Sequence, residues 1–321
     1  MNKFELGKII ISPTASDVLA ETGIDLGILL ERHEKGDWGD VESHEKIRND
    51  WALKKGGIIR SKYVLPDGEI LLINTSDDKT ATWVLLFLEF NNKEVDVQDG
   101  YSLWSSSYDK ELNPLIAVEG PTIDGLLSDI LPTTALDIGT GTGRLAIKLA
   151  KLGHMVLAVD QNTEMLKVAK RNAREENLGI DFQEGAMEAL PYRSNHFGLV
   201  TCGLALCHVP DLESVIGEFS RVTKEGGHLL ITDFHPGAVA ENWRTVFDDV
   251  DAVYLLPNIP HTRDDYLQAV ESSGYSKKDV FDLYVRDIPE DVIKFFGGWV
   301  EDFSDQLFSL IIFAEKNVAL G

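Results

Sequence analysis

Ala135-Leu136-Asp137-Ile138-Gly139-Thr140-Gly141-Thr142-Gly143 is the stretch on which the reading of this chain turns. An apolar run closes on a carboxylate, and glycine follows at three alternate positions. Leu145 to Leu152, closed by Gly153, then carries the spacing of a helix. Glycine is needed where backbone turns tightly and must approach a ligand with no Cβ in the way. The pattern predicts a strand, a nucleotide-type loop and a helix in succession. Met155 to Val159 reads as the next strand, and Asp160 at its end is placed to accept both hydroxyls of a ribose.

Outward from this core, helix and strand keep alternating. Thr163 to Asn177 reads as a helix with Met165, Leu166, Ala169 and Ala173 at helical spacing, Ile180 to Gln183 and Leu199 to Cys202 as strands, and Asp211 to Thr223 as a helix. Leu229 to Thr232 is a further strand, Thr262 with Asp265 starts a helix that stops at Gly274, and Phe308 to Lys316 completes the sheet. Such alternation argues for a parallel sheet covered on both faces. The ribose belongs to one of two cofactors. The dinucleotide fingerprint G-x-G-x-x-G/A fails when counted from Gly139, because Arg144 stands at its third position; from Gly141 it is met by Gly143 and Ala146, two residues late. Asp137 would also stand beside an anionic diphosphate. S-adenosylmethionine (SAM) instead brings an ammonium and a sulfonium, which a carboxylate attracts. The chemistry favours SAM and leaves a nicotinamide cofactor as the weaker alternative.

With 321 residues, 44% hydrophobic and 26% charged, the chain has room for two folded units. Thirty basic residues against 53 acidic ones leave a net charge of −23, a field that repels phosphate backbones and anionic membranes. Nucleic acid and membrane are therefore not expected as partners, and the apolar runs are far short of the ~20 residues that cross a bilayer. Cys202 and Cys207 make neither a disulfide framework nor a zinc site, and read as buried thiols in a reducing cytoplasm, the expected location.

Residues 1–95 follow another pattern: a strand at Lys8 to Ile11, a helical run from Ala15 to His33 with Pro13 near its start, and a polar stretch holding Gly36, Asp37, Trp38 and Gly39. Strands follow at Ile58 to Val64, Ile70 to Asn74 and Ala81 to Leu88, the first two joined by the turn Pro66-Asp67-Gly68. A small α+β unit is predicted, with Asn91 to Asp99 as a polar linker to a second unit over 96–321. Glu31-Arg32-His33, Gly36 to Gly39 and Ser61 to Gly68 resemble a small uncharacterised prokaryotic domain, which implies no particular role. His33 and Asp37 read as capping and turn residues ahead of a catalytic pair.

Leu136 to Leu145, Val159-Asp160, Glu184 to Tyr192 and Asn195 to Asp211 resemble successive motifs of the ubiquinone-biosynthesis-like class I SAM-dependent methyltransferases. Tyr101 to Trp104, Tyr108-Asp109 and Asn113-Pro114-Leu115 are similar to the segment preceding the core of such enzymes. The resemblance implies an α/β fold with a Rossmann-like seven-stranded sheet and helices on both faces, here preceded by the small α+β unit, with SAM as cofactor and a small-molecule methyl acceptor. It places Asp137, Gly139, Thr140, Gly141 and Gly143 at the methionine end, Asp160 and Gln161 at the ribose, and Ala186 and Met187 at the adenine. Family members often carry Asp at the position of Ala186, so one contact to the adenine amino group is missing. Tyr101 and Tyr108, with Trp104 between them on one helical face, either close over SAM or pack in the core.

Methyl transfer needs an in-line approach of the nucleophile, and a general base when that nucleophile arrives protonated. Ligands in open α/β sheets bind at the carboxyl ends of strands, so the residues after Cys202 and after Thr232 are the candidates. His235 beside Asp233 is the preferred acid–base pair, an imidazole oriented by a carboxylate. His208 is the second candidate, with a structural role favoured, and Asp211 is expected to cap the next helix. Val253 to His261, with Tyr254, Pro257 and Pro260, is expected as a substrate lid over an apolar acceptor. Asp248-Asp249-Asp251 and Glu301-Asp302-Asp305 read as solvated surface, and no metal is expected. The rival reading is a non-catalytic SAM-binding or regulatory protein in which the N-terminal unit is the working part; that unit also leaves open a homodimer contact or a cover on the active site.

Overall fold

The computed structural model describes residues 2–318, apart from the side chains of residues 277 and 278. Residues 1 and 319–321, which the two expected units include, lie outside the described residues. The chain opens with β1 (Lys8–Ile11), α1 (Pro13–Thr22), α2 (Leu26–Glu34) and α3 (Ser43–Lys55), followed by β2 (Ile59–Val64), β3 (Ile70–Thr75) and β4 (Ala81–Leu86). The helical run expected from Ala15 to His33 is two helices. Gly23 takes φ 68° and ends the first, and the Asp25 carboxylate accepts the Gly27 N–H to start the second. Helix α3 escaped the sequence reading because its charged and apolar residues form no clean stripe. The three later strands are an antiparallel meander and β1 runs parallel to β4, giving the order β1-β4-β3-β2. Ala15, Leu19 and Leu29 from the helices bury against Tyr63, Leu71, Ile73 and Val84 of the sheet.

The stretch expected as a linker is structured. Asn91 to Asp99 holds β5 (Asn91–Glu94) and the start of α4 (Val97–Trp104), whose N-cap Asp96 accepts the Asp99 N–H. Then come α5 (Pro114–Ser128), β6 (Thr134–Ile138), α6 (Arg144–Lys151), β7 (Met155–Asp160), α7 (Thr163–Glu175), β8 (Asp181–Glu184), β9 (Phe197–Gly203), α8 (Leu212–Val222) and β10 (Thr223–Phe234). The chain continues through α9 (Pro236–Ala240), β11 (Thr245–Asp248), β12 (Ala252–Leu256), α10 (Arg263–Ser272), β13 (Tyr275–Tyr284), α11 (Glu290–Ile293), α12 (Trp299–Asp302) and β14 (Leu307–Lys316). Strand β13 is an addition to the sequence reading, which passed directly from Gly274 to the last strand. Among the described residues the large sheet has seven strands in the order β13-β14-β10-β9-β6-β7-β8. The five from β10 to β8 are parallel, and β14 is antiparallel to both its neighbours.

Side-chain alternation along β6 fixes both faces of this sheet. Leu136 and Ile138 join the core made with α8 and α10, around Ile216, Phe219, Tyr266 and Val270. Ala135 joins the opposite core, made with α5 and α6 around Ile123, Leu127, Ala146 and Leu149. The chain runs outward from β6 through β7 to β8 and then returns to β9 on the other side of β6. That reversal opens a crevice at the carboxyl ends of β6 and β9, where such sheets bind ligands.

Strands β11, β12 and β5 form a small third sheet behind α4. Gly100 of α4 lies so close to β12 that a Cβ would stand 2.8 Å from Leu256 Cγ. Trp104 stacks on Phe247 at 4.9 Å, and Phe247 on Tyr254 at 5.1 Å. The N-terminal layer grips the turn of the same hairpin: Arg60 donates to Asp248 Oδ2 (2.8 Å) and the Asp249 carbonyl (2.9 Å), and Asn74 donates to the Val250 carbonyl (2.8 Å). Trp51 of α3 donates to the Lys110 carbonyl and packs edge-on against Phe295. Among the described residues, no helix is long and apolar enough to cross a membrane.

Candidate active site

Gly139, Gly141 and Gly143 take φ values of 63°, 55° and 89°, and the loop they form borders a cavity of about 270 Å³ at the carboxyl ends of β6, β7 and β9. At Gly139 the missing side chain matters twice. The left-handed backbone disfavours any other residue, and a Cβ would stand 3.0 Å from Ala205 Cβ and 3.5 Å from Met187 Cε, filling the cradle. Asp137 is buried, and its oxygens are engaged within the fold: Oδ2 accepts the Thr140 hydroxyl (2.6 Å) and the Ala146 N–H (3.1 Å), while Oδ1 accepts the Thr201 hydroxyl (2.7 Å). Burial pushes its carboxyl up to about 6 against those donors. Asp137 therefore shapes the loop while bordering the cavity.

Asp160 ends β7 with Oδ2 accepting the Gly141 N–H (2.7 Å) and Oδ1 accepting the Asn162 N–H (2.8 Å). Burial raises its pKa and the backbone donors oppose the rise. Each oxygen can accept a second hydrogen bond, which suits two ribose hydroxyls. Because a carboxylate already occupies the Gly141 amide, a diphosphate would meet a negative charge there, which counts against the shifted dinucleotide match.

Helix α4 roofs the cavity, which is bordered by Asp96, Val97, Gln98 and Tyr101, and by Tyr108 beyond the helix. The roof is tied down at three points. Asn162 donates to the Gln98 carbonyl (3.0 Å) and to Ser102 Oγ (2.9 Å). Asp109 accepts the Thr142 hydroxyl (2.6 Å) and the Asn172 amide (2.7 Å). The Tyr101 hydroxyl meets His208 Nε2 at 3.0 Å. The far side of that imidazole fixes the proton positions: Nδ1 lies 2.7 Å from the Pro257 carbonyl, which can only accept, so Nδ1 carries the hydrogen and Nε2 accepts from Tyr101. Burial holds His208 below its ordinary pKa, with the Pro257 bond opposing.

Several expected site residues stand elsewhere. His235 and Asp233 do not pair. His235 Nδ1 accepts the Gly237 N–H (2.9 Å) as the N-cap of α9, and Nε2 donates to Asp282 (3.1 Å), which Arg263 also holds. Asp233 accepts from the Tyr266 hydroxyl (2.8 Å) and the Phe234 N–H. Both are buried, and neither borders the cavity: partners within the fold hold them, Tyr266 at Asp233 and Asp282 with the Gly237 N–H at His235. Tyr101 and Tyr108 do not share a helix face, since α4 ends at Trp104; their rings are 6.4 Å apart and both border the cavity. Gly143 is not in the lining: a Cβ there would meet Ala169 Cβ at 3.2 Å, so it lets α6 pack on α7. Ala186 is also outside the lining, while Gly185, Met187 and Glu188 are in it. Residues 253–261 do not cover the cavity. Their first half is β12, and Ile259 and His261 bond the Cys207 and Val209 carbonyls, bracing the His208 turn from behind. Asp211 caps α8 by accepting the Ser214 N–H.

Of the expected cofactor residues, the lining brings together Asp137, Gly139, Thr140, Gly141, Asp160, Gln161, Met187, Tyr101 and Tyr108, along with His208. It adds Gln98, Arg144, Asn162 and Leu204, which the sequence reading passed over. Leu204 takes φ 57°, a conformation uncommon for leucine, with its N–H held 2.7 Å from the Thr232 carbonyl. No propensity rule would find it, whereas Asn162 had the position of a helix N-cap and could have been singled out.

The lining fits SAM: a preset carboxylate with open lone pairs for a ribose, Met165 and Met187 for a flat base, and a glycine cradle that a Cβ would fill. The comparisons agree. Residues 136–231 match the methyltransferase domain family. A ubiquinone biosynthesis O-methyltransferase of Ralstonia nicotianae is 30% identical over 166 residues, covering 51% of this chain and 68% of the relative. One of Coxiella burnetii is 32% identical over 139 residues, covering 43% of this chain and 57% of the relative. The crystal structure of a SAM-dependent methyltransferase from Mesorhizobium loti superposes with a TM-score of 0.51 at 19% identity, over 64% of this chain and all of that one. Loop, strand-end carboxylate, sheet order and relatives converge: the chain belongs to the class I SAM-dependent methyltransferases.

Proposed function

We propose that this methyltransferase acts on a hydroxyl group of a small organic acceptor, and that His208, through Tyr101, takes the hydroxyl proton. The observation that carries the reading is the 3.0 Å contact of His208 Nε2 with the Tyr101 hydroxyl at the cavity wall, with Nδ1 anchored on Pro257. The relatives named as O-methyltransferases support the choice of oxygen. Bound SAM supplies an electrophilic methyl group. The protein's part is to bind, orient and deprotonate. An acceptor hydroxyl beside Tyr101 passes its proton to the tyrosine oxygen as that oxygen passes its own to Nε2, and the acceptor oxygen becomes the nucleophile. The tied roof holds the partners in line and limits water. The buried, disulfide-free Cys202 and Cys207 support a cytoplasmic location.

The test is His208→Gln assayed with a panel of phenols and aliphatic alcohols at saturating SAM. A loss of about 10²- to 10⁴-fold in kcat is expected, the usual worth of a general base, with affinity for S-adenosylhomocysteine unchanged. Wild-type turnover by the variant would remove His208 from the chemistry.

A further inference from the structure

A second cavity, of about 80 Å³, lies at the seam between the N-terminal layer and the rest of the chain, and shares no lining residue with the first. Its charged walls are Glu45 and Arg48 of α3, Arg60 of β2, Lys110 and Glu111 on the segment that leads from the roof into α5, and Asp248 of the hairpin. Trp51 and Phe295, packed edge-on against each other, form an apolar side with Leu112. Such a volume takes a handful of waters, so an occupant has the size of a small organic ion.

The three carboxylates and three cations of this wall make it neutral in a chain of net charge −23. Four of the six are engaged. Glu45 accepts the Glu42 N–H in the capping box of α3, Lys110 pairs with Asp77, and Arg60 pairs with Asp248 at 2.8 Å. Glu111 and Arg48 remain: among the described residues neither makes a hydrogen bond or a salt bridge, with the other or with any third group. Burial pushes the Glu111 carboxyl up to about 7; the Arg60 charge is the foremost influence opposing the rise, and the Arg48 charge also opposes it. The Arg48 guanidinium is thus near enough to be felt and too far away to bond. In the same wall the buried Arg60 Nε–H is without a partner, a state in which buried donors are seldom left.

An unpaired anion and an unpaired cation lining one cavity call for an occupant that carries both charges. A carboxylate half-withdrawn from water favours an ammonium, and a guanidinium takes a carboxylate through parallel N–H donors. We propose that this seam cavity binds a free α-amino acid, with its ammonium on Glu111, its carboxylate on Arg48 and its side chain toward Trp51, Leu112 and Phe295. Occupied, the site fastens α3 to the segment just after Asp109, the residue that ties the roof to Thr142 and Asn172. It is placed to sense an amino acid while taking no part in methyl transfer.

The test is calorimetric titration of the full chain with the common α-amino acids, one at a time, at saturating S-adenosylhomocysteine so that the first cavity is filled. At least one is expected to bind with a Kd below about 1 mM. The matching amine and the matching carboxylic acid, each lacking one of the two charges, should bind more weakly by about tenfold or more. Glu111→Gln and Arg48→Gln should each weaken the amino acid by about tenfold to a hundredfold, the worth of one charged hydrogen bond, with S-adenosylhomocysteine affinity at the wild-type level. Arg48 is exposed, so its variant carries the test if Glu111→Gln does not fold. The proposal is overturned if no amino acid binds in that range, which would leave Arg48 and Glu111 to close on each other, or if the amine or the acid alone binds as well as the amino acid. It is equally overturned if affinity survives Arg48→Gln, or if that variant weakens S-adenosylhomocysteine to the same degree.

Discussion

Asp160 already holds two backbone N–H groups, so its carboxylate is fixed before any ligand arrives. Asp160→Ala is expected to weaken S-adenosylhomocysteine binding by about tenfold to a hundredfold; an unchanged affinity in a titration would remove it from the ribose. His208 has its pKa depressed by burial from 6.5. Protonation removes the base, so kcat/KM should fall only as pH drops through a value below 6.5 and stay level above it. A pH profile without that acid limb would argue against the role. His235 belongs to the scaffold, as cap of α9 and partner of Asp282. His235→Ala should cost about 1–3 kcal/mol in stability, the desolvation penalty of the groups it leaves unpaired, while S-adenosylhomocysteine affinity stays at the wild-type level. Urea melts and a titration check both halves of that statement.

Among the elements, α4 couples packing to the site. One side carries Gln98 and Tyr101 over the cavity, and the other lies against Leu256 and Phe247. Gly100→Ala would place a Cβ 2.8 Å from Leu256 Cγ. The helix must then shift or the hairpin must give, at about 1–3 kcal/mol as for other overpacked contacts. Because the roof residues move with the helix, the same variant should bind S-adenosylhomocysteine more weakly. A variant that lost stability with full affinity would show that α4 tolerates the shift. Gly100 sits mid-helix, where alanine is the better helix former by about 1 kcal/mol, and that gain offsets part of the packing cost.

Over the whole molecule, the N-terminal layer shares a seam with the β11–β12 hairpin and with Phe295. We propose residues 2–90 and the remainder as two units that unfold together, with the first bracing the hairpin behind the roof. The support is the Arg60 grip on Asp248 and the Asp249 carbonyl, the Asn74 bond to Val250, and Trp51 against Phe295. One cooperative transition is expected by circular dichroism and tryptophan fluorescence alike. Arg60→Ala should move that transition down by about 1 kcal/mol, the upper end for a partly exposed ion pair. Two separate transitions, with Arg60→Ala altering neither, would show the layers to be independent.

The local periods of the sequence determined a great deal. The alternation of helix and strand, the left-handed glycines at Gly139, Gly141 and Gly143, and Asp160 at a strand end all follow from short-range sterics, which act within a few residues and leave their mark in the pattern. What lies across space left no such mark. Asp233 and His235 are two apart in the chain yet serve different partners, while His208 meets Tyr101 across more than a hundred residues. The polar stretch Asn91 to Asp99 looked like a linker because an edge strand and a helix cap need few apolar residues of their own. Arg144 joined the cavity lining only once the fold closed around the start of α6. Backbone propensity is decided residue by residue, whereas desolvation and partner choice are decided by whatever the chain brings alongside, and only the tertiary structure does that.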